Sequence, residues 1–530
     1  MQVSTARAVA LPLLVVAASL RSLGADGYLI QVDSAFGPRI ATSHVSFYAP
    51  VQLLVDALQV VFGGQWAGRF YAAGTLFLVG FAAMVLLRRL PWYAQMCGGL
   101  LAMLNPFVYD RLVGGQWGVV GAIAGLLFVV AAWRRMRDHP GRGSAIAISA
   151  AIIATLMFSA DFAGMLFVLG IGLCFFSSMW RDPKFRLWTL TGLGATAVIA
   201  LYGVIPFVFG TGPGTYTQVA SFTVADFASF RTTAAPDLGV IPALIGLYGE
   251  WSERLATYVV ADQQYSWWFV SAAALSACAV IGGLFSGEHR WMLGVGVIGI
   301  AISAVTATAQ GLQWMTDIVH QVPIVAAFRE PQKWDALWLV ALIVLVPAAI
   351  SGASGQIGRS WATRRAIASA MVVVVLAATL APSGWTALLD TSRVVTPVQY
   401  PSSWYAAATF MAHGVDPRVR VAVLPWHEYE ELSFVGRPSA DPAEVFFPGT
   451  LAVSSDPELP GAPASDPIEA ASRSGLHCAL AEALRGQGIS ITLVLQDTID
   501  GAQTADALLT CGFAPRFTTT DVVVLRDTMT

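Results

Sequence analysis

Long apolar runs, repeated along most of the chain, constrain its fold more than any other feature. A membrane-crossing helix needs about 20 mostly apolar residues. Cores of that kind lie at Ala8–Leu20, Phe70–Leu87, Tyr93–Val108, Val119–Trp133, Ala145–Phe158 and Phe162–Met179. Others follow at Leu190–Phe209, Trp267–Phe285, Met292–Ala309, Ala336–Ile350 and Ala366–Leu380, about eleven in all. The fifth and sixth are separated only by Ser159, Ala160 and Asp161, which reads as a tight hairpin. Of the 530 residues, 56% are hydrophobic and 12% charged, about half the charge of a soluble chain. Disorder, a coiled coil and an ordinary cytosolic enzyme are excluded. The reading is a polytopic α-helical membrane protein.

Charge divides the chain near Asp390. Residues 391–530 carry 16 acidic and 8 basic side chains, and the remainder carries 17 and 22. A membrane domain over 1–390 and a separate domain over 391–530 are therefore expected. Within the tail, Val419–Leu424, Ile489–Leu495 and Val522–Leu525 read as strands. Ile468–Arg485 and Gln503–Cys511 read as helices, and Gly436–Pro467 as loop. This predicts a small α/β domain with a partly parallel sheet. The net charge of −3 argues against a nucleic-acid partner, which needs a basic face.

Orientation follows from the arginines. Arg7, Arg88, Arg89, Arg134, Arg135, Arg137, Arg142, Arg181, Lys184, Arg186, Arg290, Arg359, Arg364 and Arg365 all fall on one side of an eleven-span alternation. That side is cytoplasmic by the positive-inside rule, and it holds only Asp138, Asp182 and Glu288 as acids. The plasma (inner) membrane is the expected location, with the N-terminus cytoplasmic and the tail extracytoplasmic. Arg7, a short apolar core and Ser22-Leu23-Gly24 also fit a cleaved signal peptide, which leaves the remaining topology unchanged. In an oxidising outer compartment Cys478 and Cys511 are candidates for a disulfide. The other three cysteines lie in apolar runs, and no Cys/His spacing suggests a zinc or iron–sulfur site.

Three outer loops, over 21–69, 210–265 and 310–335, are longer than connection requires. The first carries Asp26, Asp33, Arg39 and His44. The second carries Tyr248, Glu250 and Trp251, and the third His320 and the stretch PIVAAFREPQKWD. A fourth segment, NPFVYDRLVGGQW, contains Arg111. Carboxylates at such a surface suit a general base or a metal, Arg and Lys a phosphate, and aromatic rings a sugar face. Taken singly, each has a bland alternative as a membrane anchor, solvated loop acid or packing ring. Lys333 stands out, because the chain has only one other lysine, Lys184. A compact ammonium suits phosphate.

At PIVAAFREPQKWD and NPFVYDRLVGGQW the sequence resembles the GT-C superfamily of membrane glycosyltransferases. The likeness is greatest to bacterial members such as the large arabinofuranosyltransferases of mycobacterial-type cell walls. It covers roughly the first 390 residues. The chain is far shorter than those enzymes, and its first loop lacks a clean pair of acids.

The resemblance implies inverting transfer from a polyprenyl-phosphate sugar to an envelope glycan or glycolipid. Asp33, with Asp26 as the lesser candidate, would take the acceptor's proton. Arg329, Lys333 and Arg111 would meet the donor phosphate, and Glu330, His44, Tyr248 and Trp251 would contact sugar or acceptor. Some relatives use a divalent metal, and the resemblance leaves that cofactor open. The competing classes are a lipid-linked sugar transporter or flippase, and a non-catalytic envelope-assembly protein. Charges gather at the outer ends of the apolar runs rather than at their centres, which disfavours transport.

Overall fold

The computed structural model describes residues 5–40, 49–175, 181–209, 216, 220, 222–233, 239–251, 265–285, 289–356, 391–454, 466–476 and 478–529. Two compact units divide the chain. The first comprises Met1–Ser22, His44–Leu54 and Tyr71–Val395; the second comprises Leu23–Ser43, Val55–Phe70 and Thr396–Thr530.

The first unit is helical. Its early elements are α1 (Thr5–Ser19), α2 (Ala49–Leu86, broken by a kink at Gly63 and with residues 55–70 belonging to the second unit), α3 (Trp92–Met103), α4 (Pro106–Gly114), α5 (Trp117–Asp138), α6 (Arg142–Phe158), α7 (Ala163–Phe175) and α8 (Pro183–Phe209). Helices Tyr265–Phe285, Arg290–Val305, Ala309–Gln321 and Ala336–Gln356 follow. Among the described residues three helices are long and apolar enough to cross a membrane: Pro50–Leu86, Trp117–Asp138 and Pro331–Gly352. A fourth candidate is the pair Arg290–Val305 and Ala309–Gln321, bent by 95°. The eleventh expected core, Ala366–Leu380, lies outside the described residues.

Two expectations change in detail. The run Tyr93–Val108 is not one helix, because Leu104 and Asn105 leave helical geometry ahead of Pro106. Proline disfavours helical backbone at the residue before it, and at the first helical position it starts a new helix without losing a hydrogen bond. The fifth and sixth runs are separate helices, α6 and α7, joined by a single 3-10 turn over Ala160–Phe162, but the two do not pack side by side as the arms of a hairpin would.

The second unit centres on a five-stranded sheet in the order β6-β3-β7-β9-β8. These strands are β3 (Arg420–Leu424), β6 (Thr450–Ala452), β7 (Ile491–Leu495), β8 (Phe513–Thr518) and β9 (Val522–Asp527). β3 runs parallel to β6 and β7, whereas β9 is antiparallel to β7 and β8, so the sheet is mixed. Side chains alternate between its faces, as strand geometry dictates. Val421, Val423, Leu493, Leu495, Val522 and Val524 pack with Tyr400, Trp404, Phe446 and Phe447. Ala422, Leu424, Val494, Val523 and Leu525 pack on the other face with Ile468, Leu484, Ala505 and Leu508. Both faces are therefore covered, as in layered α/β folds. The helix expected over Ile468–Arg485 is two, Pro467–Ser474 and Ala479–Gly486, because Gly475 takes left-handed backbone after the first. Cys478 and Cys511 are disulfide-bonded, with Cα atoms 5.3 Å apart.

The same unit contains two short antiparallel pairs, β1 (Ile30–Gln31) with β2 (Ser34–Ala35), and β4 (Tyr429–Glu430) with β5 (Ser439–Ala440). Val32 and Asp33 form the tip of the β1–β2 hairpin.

Candidate functional site

The segment around Arg111 is shaped by its own punctuation. The Asn105 carboxamide accepts from the Val108 N–H at 3.0 Å, capping α4. Its amide donates to the Leu101 and Ala102 carbonyls at 2.9 and 3.2 Å, tying α4 to the end of α3. Gly115 closes α4 with φ of 84°, a left-handed conformation that favours glycine. Arg111, held on this short helix, is only 1% exposed.

The REPQKWD stretch is built differently. The residues 323–328 and 331–335 form two short 3-10 turns, and the long helix starts only at Ala336. Ser303 donates to the Pro331 carbonyl at 2.9 Å, and Thr232 donates to the Ser303 carbonyl at 2.5 Å. At Gly299 a side chain would put Cβ 2.6 Å from the Trp334 carbonyl oxygen, so glycine permits this close approach.

These segments bring a buried ionic cluster together within the first unit. Arg111 Nη1 is 2.6 Å from Glu250 Oε1 and 3.6 Å from Glu330 Oε2, and it also donates to the Gln116 amide oxygen. Glu330 Oε2 accepts from Gln116 Nε2 at 3.0 Å and from the Trp251 indole at 3.1 Å. Glu330 Oε1 is 2.8 Å from Lys333 Nζ, which is 2.5 Å from Asp161 Oδ2. Burial alone would raise the Glu330 carboxyl, but the Lys333 ammonium and the Arg111 guanidinium outweigh it and hold the group down at about 2. Glu330 is thus ionised throughout the physiological range. The Arg329 guanidinium lies 4.6 Å from the Phe230 ring centre and 5.5 Å from that of Phe222, in cation–π geometry.

Gln332 and Asp335 belong to the same turn and are 2% and 1% exposed. Among the described residues, neither oxygen of Asp335 and neither polar atom of the Gln332 amide has a hydrogen-bond partner. Buried polar groups are overwhelmingly paired, so these two side chains hold hydrogen-bonding capacity that the described residues leave unused.

The residues expected to act together divide between the units. Arg111, Tyr248, Trp251, Arg329, Glu330 and Lys333 all belong to the first, and Asp26 and Asp33 to the second. Asp33 and Asp26 are exposed. Arg69 braces the backbone carrying Asp26, donating to the Ala25 and Gly27 carbonyls at 2.5 and 3.0 Å. Tyr248 and Trp251 are buried, and Trp251 packs edge-on against Phe230. His44 lies outside the described residues. Sequence reasoning gave no binding or catalytic role to Asp161, Gln116, Gln332 or Asp335, and it named Glu250 without a role. Asp161 carried a usable signal as the one ionisable residue between two apolar runs. Among the described residues no group of three or more His, Cys, Asp or Glu side chains is placed to hold a metal.

No family model matches the sequence, and no curated protein does either. Solved structures do. The cryo-EM structure of arabinofuranosyltransferase AftD from mycobacteria aligns with 99% of this chain at a TM-score of 0.65 and 15% identity. Its R1389S mutant aligns over 99% at a TM-score of 0.58 and 13% identity. This chain spans 40% of the length of AftD. ArnT from Cupriavidus metallidurans, bound to undecaprenyl phosphate, aligns over 98% of this chain and 97% of its own at a TM-score of 0.45 and 14% identity. The likeness expected for the first 390 residues thus runs on through the C-terminal domain. Over nearly its whole length, this chain has the fold of the GT-C glycosyltransferases.

Proposed function

We propose that the protein is an inverting membrane glycosyltransferase, moving a sugar from a polyprenyl-phosphate donor to an envelope glycan or glycolipid on the outer face. The observation that carries this reading is the buried ionic cluster of Arg111, Glu250, Glu330, Lys333 and Asp161, three of which (Arg111, Glu330 and Lys333) lie in the segments that resemble GT-C motifs. Burying ions is costly unless every charge is matched, so a cluster of this size is maintained where chemistry requires it. Asp335 and Gln332 are polar groups of the kind that suit the hydroxyls of a sugar.

The roles follow from that reading. Asp33 takes the proton of an acceptor hydroxyl, with Asp26 as the lesser contributor. The acceptor oxygen attacks the anomeric carbon, the bond from that carbon to the phosphate oxygen breaks, and polyprenyl phosphate leaves with the electron pair. Arg329, Lys333 and Arg111 meet its charge. Lys333 and Arg111 each exchange a carboxylate partner for a phosphate oxygen, and Tyr248, Trp251, Glu330 and His44 contact sugar or acceptor.

The test is transfer of label from a polyprenyl-phosphate sugar by purified full-length protein. Asp33→Asn keeps shape and removes the base, and should abolish transfer while the protein remains folded and inserted. Asp26→Asn should lose less. Wild-type rates in Asp33→Asn would discard this mechanism.

A transport reading has one observation in its favour. Asp161, Arg111 and Lys333 are buried in a unit of apolar helices, as ions along a translocation path are. Vesicles containing the protein distinguish the two: a flippase moves intact donor across the bilayer with no acceptor present, and a transferase does not.

A further inference from the structure

The arginine-rich end of the helical unit contains a cavity that this function leaves unused. Its volume is about 400 Å³, within the roughly 300–1,000 Å³ range of small-molecule sites. The walls come from the end of α2 and from α5 and α6. Val85, Leu86 and Phe128 contribute apolar surface, and six alanines, including Ala147 and Ala151, leave the space between the helices unfilled. Four arginines line the same cavity, Arg88, Arg89, Arg134 and Arg135.

Two of these cations are engaged. Arg89 pairs with Asp138, while Arg134 donates to the Leu86 carbonyl at 3.1 Å and contacts the His289 ring. Arg88 and Arg135 are exposed, and among the described residues neither has a carboxylate partner. Asp138 also faces Arg137. The charge pattern of the sequence assigns this end to the cytoplasmic leaflet, where anionic lipid is concentrated.

An apolar recess with a cationic mouth is complementary to a molecule with an anionic head and a hydrocarbon chain. We infer that this cavity binds one anionic phospholipid, its phosphate against Arg88 and Arg135 and an acyl chain along the alanine-lined walls of α5 and α6. A free phosphate would use only the mouth, and a zwitterionic lipid would bring its own cation against the arginines. The site is distinct from the Lys333 cluster, and its occupant takes no part in transfer.

The experiment uses full-length protein in detergent, titrated separately with phosphatidylglycerol, phosphatidylcholine and inorganic phosphate. Melting temperature and lipid retained in native mass spectra are the readouts. Phosphatidylglycerol should raise the melting temperature and the other two should not. Arg88→Gln with Arg135→Gln should weaken phosphatidylglycerol binding by about tenfold or more, since each basic residue near an anionic lipid contributes about a fivefold factor. Ala147→Leu keeps every arginine but narrows the recess, and should also weaken binding. Equal protection by inorganic phosphate would reduce the site to an anion contact and overturn the lipid assignment. Unchanged affinity in the arginine variant would overturn it too. If that variant does not fold, Ala147→Leu decides, and unchanged affinity there overturns the proposal.

Discussion

The two units solve the problem of burial in opposite ways. In the second, the interior is aromatic and aliphatic. Trp404 is fully buried, with Tyr400, Phe434, Phe446 and Phe447 around it at ring separations of 4.9–5.4 Å. In the first, apolar helices surround ions, with Arg111 at 1% exposure among three carboxylates and a lysine. The aromatic core is explained by stability alone, because removing such surface from water is favourable wherever it occurs. The ionic core is not, since hydrophobic residues of similar volume often serve stability as well or better. Charge inside the helical unit therefore points to function more strongly than any exposed side chain of the α/β unit does.

The comparison breaks most visibly at Lys333. A phosphate-binding role alone would have Lys333→Ala weaken phosphate binding and leave the unliganded protein's melting temperature nearly unchanged. Its two carboxylate partners change that expectation. Removing the ammonium leaves Asp161 and Glu330 facing each other without their shared cation. Breaking a buried pair this way costs about 3–5 kcal/mol. Lys333→Ala should therefore melt well below wild type without any donor, and replacing the triad by Lys333→Met with Asp161→Leu and Glu330→Leu should recover much of the loss while leaving transfer abolished. A melting temperature for Lys333→Ala within a degree of wild type would show that the triad is not the buried network described above.

The matching change in the second unit is Trp404→Ala. It removes a fully buried ring, and such substitutions cost about 3–5 kcal/mol through lost burial and the cavity left behind. Hydrogen exchange should show faster exchange at the amides of β3 and β7. Here no rescue by a second substitution is expected, because no charge is left stranded. An ionic core fails through imbalance and an aromatic core through lost volume, and the two rescue experiments separate these causes.

How much of this was legible depends on how far apart the partners lie in sequence. Strands β3, β7 and β9 could be read because each alternates or concentrates β-branched residues locally. β6 has three residues and β8 includes Pro515, so neither has a clear local pattern. The helices were visible as apolar runs, but their breaks at Asn105 and Gly475 depend on backbone conformation. Lys333 was conspicuous by rarity, yet its partner Asp161 lies 172 positions away and nothing local connects them. Trp251 was read as a belt or sugar-stacking ring, and its indole N–H instead serves Glu330. The resemblance sets Arg329 and Lys333 together against the donor phosphate. The 3-10 turns leave the first over aromatic rings and the second between carboxylates.

The smallest expected effect tests whether charge is tolerated as poorly in the α/β unit as in the helical one. Asp441 is half-buried, and its Oδ1 accepts from the Ala443 N–H at 2.8 Å. Burial pushes its carboxyl up to about 7, with the Glu444 charge adding to the shift and the Ala443 hydrogen bond offsetting part of it. An unfolded aspartate titrates near 4, so the folded state binds the proton more tightly. The stability this contributes is complete below about pH 4 and is lost as pH rises through 7. With partial exposure to water discounted, the swing is on the order of 2 kcal/mol. Asp441→Asn accepts the same backbone hydrogen bond and does not titrate. Between pH 5 and pH 8 the wild-type α/β unit should therefore lose stability relative to Asp441→Asn, read as a falling difference in exchange protection at β3 and β7. A difference that stays flat across that range would mean that Asp441 is ionised in the folded protein, and that this unit accommodates a half-buried charge at no cost.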